Sequence, residues 1–311
     1  MDFDLSDEQR ALGAAARDFC SHAASPADAR RALADGAAVA PGLKAIATNG
    51  FSSVLQEGGT VLDLAVVASE SGRVLAGPSV IGFGRVSVLV PDADLSEGWA
   101  VLDGTSPVLD AATATTFLAL QDGQLVRGRG AVTPGAPLDP TRGLGAVELS
   151  DVQPVDGADR WERARQVAQV LLAAEDLGTA ERAVEIGVQY AKDRKAFGRA
   201  IGSYQAVKHS LVDAFVGVEQ LRSLVWWAAW AADESPDELP LAAAAVKGLA
   251  ATVVERATET LIQVHGGIGF TWEHDAHLYW RRAKVDRLLL GDAAEHLDAV
   301  ARLAVAGALT R

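Results

Sequence analysis

The chain has 311 residues and a formal net charge of −13, from 28 lysine and arginine residues against 41 aspartate and glutamate residues. This balance argues against binding to nucleic acid or to an anionic membrane surface, because both need a basic face on the protein. The single cysteine, Cys20, excludes an internal disulfide framework and a cysteine-rich metal site. The acidic N-terminus lacks the apolar segment of a secretory signal, and no apolar run is long enough to span a bilayer, so we expect a cytoplasmic protein.

Residues 1–77 are expected to form a helical domain. Ser6 is a candidate N-cap for a helix that runs towards Cys20, because a serine followed closely by glutamate and glutamine is typical of a helix start. The further helices are expected near Pro26–Ala34, Pro41–Asn49 and Thr60–Leu75.

Residues 78–155 have the texture of a small β domain, with short β-branched runs separated by Pro, Gly and Asp. The pair Asp122-Gly123 lies between two such runs and predicts a tight hairpin. The expected strands are Val80–Val90, Trp99–Leu102, Thr116–Leu120 and Ala146–Val152.

Residues 156–311 predict a bundle of long helices, because apolar residues recur there at helical spacing. The helices are expected near Arg160–Lys192, Ser203–Ala232, Leu239–Val264, Asp275–Leu289 and Ala293–Ala308. Long helices with short connections favour an antiparallel bundle of four or more. The predicted fold class is therefore mainly α with a small β domain, in three parts.

Two segments of the bundle carry candidate ligand contacts. The first is YAKDRKAFGRAIGSYQAVKH, from Tyr190 to His209, and the second is QVHGGIGF, from Gln263 to Phe270. Consecutive glycines let a backbone approach a ligand closely and expose amide donors. Each residue also has an ordinary explanation, such as an arginine in the last turn that interacts with the helix dipole. The glycines are not a dinucleotide fingerprint, because no strand precedes them.

In this order and spacing, the two segments resemble the C-terminal part of the acyl-CoA dehydrogenase family. The resemblance implies the fold of that family: an N-terminal helical domain, a middle β domain and a C-terminal four-helix bundle. It also implies FAD as the cofactor, bound mainly by an adjacent subunit. A guanidinium suits the pyrophosphate because its donors match phosphate oxygens. The residues expected to contact FAD are Arg194, Phe197, Gln205, Gln263, Gly266 and Gly267.

The resemblance continues to Asp292 but departs at one position. Where the family carries a catalytic glutamate, this chain has Leu290, followed by Gly291 and Asp292. That carboxylate removes the α-proton of the acyl-CoA, which leucine cannot do. Some family members carry the base on the first helix of the bundle, and that position falls near Ala168. Glu175 and Asp176, about two turns further along that helix, are weak candidates for a displaced base, because most such acids are solvated or paired.

The resemblance therefore implies a short subunit without its own base, like the non-catalytic partner in α2β2 enzymes of bacterial steroid side-chain breakdown. The β domain also lacks the Thr-Glu-Pro-like loop that lines the flavin ring in the family. A longer acyl-CoA dehydrogenase subunit would supply the base and the ring pocket. The complex would oxidise an acyl-CoA to the α,β-enoyl-CoA and pass electrons to an electron-transfer flavoprotein.

Two alternatives remain open. One is a self-sufficient, homo-oligomeric dehydrogenase or oxidase-like flavoenzyme with a displaced base, and the other is a helical scaffold that binds no flavin. No metal site is expected, because His265 and His274 lack a partner at metal-ligand spacing.

Overall fold

The computed structural model describes residues 4–35, 49–76, 80–104, 107–135 and 138–309. Within these ranges, the N-terminal part contains three helices: α1 (Asp7–Ala23), α2 (Pro26–Asp35) and α3 (Val61–Arg73). Ser6 caps α1 as predicted: its hydroxyl accepts from the Gln9 backbone at 3.1 Å, and the Gln9 side chain accepts from the Ser6 backbone at 3.0 Å. The predicted helix at Pro41–Asn49 falls outside the described residues except at its last position.

The next element corrects the prediction of a strand at Val80–Val90. Residues Val80–Leu89 form a helix, α4, and eight of its ten residues are buried. A helix that is covered on nearly all sides needs no polar face, so its sequence has no helical periodicity. A short apolar run rich in β-branched residues is also typical of a buried strand, which explains the wrong prediction.

The small sheet has four strands in the order β1 (Trp99–Leu102), β2 (Thr116–Gln121), β3 (Gln124–Pro134) and β4 (Gly145–Pro154). The pairing of β1 with β2 is parallel, and the other two pairings are antiparallel. The predicted turn between β2 and β3 is confirmed, since Asp122 and Gly123 have φ of 50° and 80°. Positive φ at both central residues is the geometry of a two-residue hairpin turn.

The rest of the described chain is helical and confirms the predicted long helices. They are α5 (Trp161–Asp193), α6 (Gln205–Glu234), α7 (Leu239–His265), α8 (Ala276–Asp286) and α9 (Ala293–Leu309). A two-residue ribbon, β5 (Lys195–Ala196) and β6 (Arg199–Ala200), links α5 towards α6.

The main core lies around α5 and α7, where alanine and leucine side chains pack at close to zero exposure. A smaller cluster around Phe117 supports the sheet. The fold class is therefore mainly α with a small sheet, as predicted. Within the described ranges, no helix is long and apolar enough to cross a membrane.

Candidate functional site

The first group of predicted contact residues lies where α5 ends. Arg194 is the C-cap of this helix, and its side chain is exposed. Phe197 is at the turn of the β5–β6 ribbon with φ 52°, and it is 95 % exposed. A phenylalanine in the left-handed region is unusual, because its Cβ is crowded there. The chain thus holds a large aromatic ring in water at a strained position, which points to a function other than packing.

The same region contains the start of α6. The amide of Ile201 donates to the Arg194 carbonyl at 2.8 Å, and the Tyr204 hydroxyl donates to the Ala196 carbonyl at 3.2 Å. These bonds fold the connection back against the ribbon. Gln205, the first residue of α6, directly follows this connection, and its side chain is exposed.

The second group lies where α7 ends, at the same end of the bundle. Gly266 is the C-cap of α7 with φ 62°, and a 3-10 turn covers Gly266–Phe270. Tyr190, near the end of α5, stacks on His265, the last residue of α7, with ring centroids 4.0 Å apart. The two sequence segments are therefore brought together, although about 70 residues of chain separate them.

The geometry at this end leaves room for a ligand with phosphate groups. All six predicted contact residues are exposed. The Arg194 side chain makes no hydrogen bond or ion pair among the described residues. A Cβ added at Gly266 or Gly267 would meet nothing within 4 Å. An unpaired guanidinium beside open backbone amides can bind a dinucleotide pyrophosphate, so these residues fit the outer half of FAD.

A different site surrounds Leu290. A cavity of about 640 Å³ lies between α4, β1, the loop around Val108 and the end of α8. Leu290 is one of its wall residues and has φ 60°. Its carbonyl accepts hydrogen bonds from Arg165 and Gln169, both at 3.3 Å, and from His296 at 3.0 Å. These bonds fix the turn and hold the leucine at the cavity wall.

Ala168, the second position where the resemblance places a base, belongs to the same wall but has no exposed surface. The two positions therefore converge on one cavity, and neither supplies a carboxylate. Because leucine and alanine bear no titratable group, the cavity offers no base at either position.

The acids that do line the described part of the cavity are held by other groups. Asp103 forms a two-pronged ion pair with Arg85, whose guanidinium also lies 5.0 Å from the Trp161 ring. Asp292 and Glu295 bond each other's backbone amides at the start of α9. A fourth acid, Asp110, is buried at the wall with φ 61°. Sequence reasoning missed Arg85, although an arginine inside an otherwise apolar run has to be paired when it is buried.

Glu175, the candidate displaced base, does not line this cavity. It is fully buried on α5 and forms ion pairs with Arg142 at 2.8 Å and Arg282 at 2.5 Å. A carboxylate held by two buried guanidinium groups is not available to take a proton from a substrate. Glu175 therefore belongs to a buried ion-pair network with Arg142 and Arg282.

Known proteins with a similar sequence or structure support the fold described above. Residues 156–305 match the family model "Acyl-CoA dehydrogenase, C-terminal domain". Among solved structures, the ChsE4–ChsE5 complex from Mycobacterium tuberculosis is similar with a TM-score of 0.81 and 24 % identity, over 97 % of this chain and 98 % of that one. PigA with FAD and proline has a TM-score of 0.80 and 19 % identity, over 97 % of this chain and 98 % of that one.

One relative has a higher sequence identity to this chain than these two structures have. The acyl-CoA dehydrogenase IpdE2 of Mycobacterium tuberculosis is 36 % identical over 254 residues, which cover 77 % of this chain and 77 % of that protein. Likeness at this level along most of both chains shows that the protein belongs to the acyl-CoA dehydrogenase family.

Proposed function

We propose that this chain is the non-catalytic subunit of a heteromeric, FAD-dependent acyl-CoA dehydrogenase. It contributes FAD contacts and an interface, and a longer subunit of the same family supplies the base and the pocket of the flavin ring. The complex oxidises an acyl-CoA to the α,β-enoyl-CoA, and electrons leave to an electron-transfer flavoprotein. A steroid side chain is the proposed acyl group. A stoichiometry of α2β2 is the proposed assembly.

The observation that carries the proposal is Leu290 at the wall of the cavity, where the family resemblance places a glutamate. Ala168 adds to it, because the alternative position for a base is also apolar. A chain that performed the reaction alone would need a carboxylate within hydrogen-bond reach of the α-proton. Both expected positions lack one.

The exposed end of the bundle supports a role in cofactor binding. The Arg194 guanidinium has no partner in the described part of the chain, and the backbone of Gly266 and Gly267 has open space around it. A phenylalanine that is 95 % exposed is better suited to an interface than to water, because aromatic residues are enriched where partners meet. The similar ChsE4–ChsE5 structure is itself a complex of two chains, which favours an unlike partner for this chain as well.

These residues define the proposed roles of the two subunits. Bound FAD would supply the acceptor for the hydride that leaves the β-carbon of the substrate. Arg194 would neutralise a phosphate of the cofactor, Gln205 and Gln263 would offer amide groups to it, and Phe197 would exclude water from its edge. The proton at the α-carbon goes to the partner's carboxylate, since Leu290 cannot accept it.

Reconstitution of the two chains tests the proposal. This chain and a longer acyl-CoA dehydrogenase subunit from the same organism are purified alone and then mixed, and turnover of acyl-CoA is measured with an artificial electron acceptor. We expect turnover only when both chains are present, together with their co-elution as one complex. Full activity of this chain alone would overturn the proposal in favour of a self-sufficient enzyme, with Asp110 as the next acid to replace. Full activity of the longer chain alone would favour a scaffold.

A further inference from the structure

A cluster of buried charged side chains joins the segment between β3 and β4 to the helical bundle. It lies next to the cavity, because Lys284 and Val285 line the cavity and Asp286 belongs to the cluster. Each member is at most 4 % exposed. The cations are Arg142, Lys247 and Arg282, and the acids are Asp139, Glu175, Asp176 and Asp286.

Two arginines hold three of the acids directly. Arg142 donates to both oxygens of Asp286 and, at 2.8 Å, to Oε1 of Glu175. Arg282 donates to Asp139 at 2.6 Å and to the same Glu175 oxygen. Hydrogen bonds from guanidinium groups favour the ionised form of a carboxylate, and, against the effect of its burial, the nearby Arg282 and Arg142 lower the pKa of Asp139.

The remaining acid and the remaining cation are not paired in this way. Neither carboxyl oxygen of Asp176 has a hydrogen-bond partner among the described residues, although the side chain is fully buried. The Lys247 ammonium, also fully buried, donates to the backbone carbonyl of Asp286 at 3.2 Å. An ionised carboxylate left without donors in a protein interior is costly, because nothing replaces the water it has lost.

The sum of the formal charges in the cluster also indicates one bound proton. Arg142, Lys247 and Arg282 supply three positive charges, and the four acids supply four negative charges if all are ionised. One bound proton makes the cluster neutral. Among the described residues, Asp176 receives no hydrogen bond from a donor group, and a proton on it would allow a hydrogen bond to the neighbouring Asp286 carboxylate.

We infer that Asp176 is protonated at neutral pH and that this buried proton makes the joint between the sheet region and the bundle sensitive to alkali. Loss of the proton leaves a net negative charge between α5, α7 and α8. Repulsion then acts on Asp286, which anchors Arg142 and precedes the turn that ends at Leu290.

The other charges around the cluster agree with this inference. Burial, followed by the nearby Asp286 carboxylate, raises the pKa of Asp176 well above its ordinary value, although Lys247 and Arg142 oppose the shift. Burial lowers the pKa of Lys247, while Asp176, Asp286 and Asp292 raise it and Arg287 lowers it. In the described part of the chain, no group of three or more His, Cys, Asp or Glu side chains is arranged to hold a metal ion. A proton is therefore the charge that remains to neutralise the cluster.

The test compares Asp176→Asn with the wild type in the full-length chain, in complex with its partner if one co-purifies. Asparagine has the shape of a protonated aspartate and does not titrate. Above pH 3.8, the ordinary pKa of aspartate, the unfolded wild type releases the proton that the folded wild type keeps, so its stability falls as pH rises. We expect the Tm difference, variant minus wild type, to become more positive from mildly acidic to alkaline pH.

Asp298→Asn is the control, because this aspartate lies on α9 with a side chain that is 80 % exposed. Its Tm should follow that of the wild type at every pH. If Asp176 is instead ionised and stabilised by Lys247, Asp176→Asn lowers the Tm, and the difference stays constant from mildly acidic to neutral pH, which would overturn the inference. Infrared spectra of the wild type give a second readout, since a protonated carboxyl band must be present at neutral pH and vanish in alkali. Neither readout uses flavin or turnover, so the result is independent of the proposed function.

Discussion

The end of the bundle and the cavity at Leu290 differ in the chemical groups that they present to a ligand. At the end of the bundle, Arg194 and Phe197 are exposed, and Gly266 has open space around it. At the cavity, Leu290 and Ala168 occupy the two positions where the family resemblance places a carboxylate, and Asp103 forms an ion pair with Arg85. The first region presents the groups proposed to bind a cofactor. The second has no carboxylate at either of these two positions.

This difference teaches that binding and catalysis can be separated within one fold. Under the proposed function, cofactor contacts on an outer surface serve the partner's site, whereas a wall residue inside the cavity has no such use without a base.

The largest effect is expected at the ion-pair network beside the cavity. Glu175→Gln removes a carboxylate that binds Arg142 and Arg282, and it leaves two buried guanidinium groups without that partner. We expect a loss of about 3–5 kcal/mol in the free energy of unfolding, measured in urea. Glu162→Gln, an exposed change on the same helix, should have almost no effect. Normal stability with abolished turnover would instead identify Glu175 as a displaced base.

A smaller effect is expected at the end of the bundle. Arg194→Ala removes a guanidinium that has no partner within the described chain, so the free energy of unfolding should not change. In the complex, the affinity for FAD should fall on the order of 10- to 100-fold, because hydrogen bonds between charged groups are lost. Equilibrium dialysis measures the affinity, and Arg302→Ala on α9 is the control. An unchanged affinity would mean that this end of the bundle does not contact the cofactor.

Phe197→Asn should affect stability and binding in opposite directions. Asparagine tolerates the left-handed conformation that Phe197 adopts, and Asn followed by Gly198 suits a two-residue hairpin turn. We expect the isolated chain to gain about 1 kcal/mol in the free energy of unfolding through relief of strain. Association with the partner, measured by calorimetry, should weaken. A variant that binds as well as the wild type would remove Phe197 from the proposed interface.

The smallest effect is expected from Leu290→Glu. This change restores a carboxylate at the cavity wall, but the chain still lacks the loop that lines a flavin ring in the family. We therefore expect no acyl-CoA turnover by the variant alone and unchanged turnover by the complex. Activity of the variant alone would show that the cavity still accommodates a flavin ring.

The sequence predicted the helices of the bundle because their apolar residues recur at helical spacing. It also predicted that Arg194 and Gly266 contact FAD, since both belong to segments whose order resembles one family, and this stays a prediction. It did not predict α4, because a helix buried on nearly all sides has no polar face. It also did not predict the ion pair of Arg142 with Asp286, because these residues are 144 positions apart and only the tertiary fold brings them together.

The ratio of flavin to protomer tests the central claim most directly. We predict that the isolated chain is colourless, and that its complex with the longer subunit contains about one FAD per unlike pair of chains, as expected when each cofactor lies at an interface. A yellow isolated chain with one FAD per protomer would contradict the account, because the flavin would then be bound without the partner.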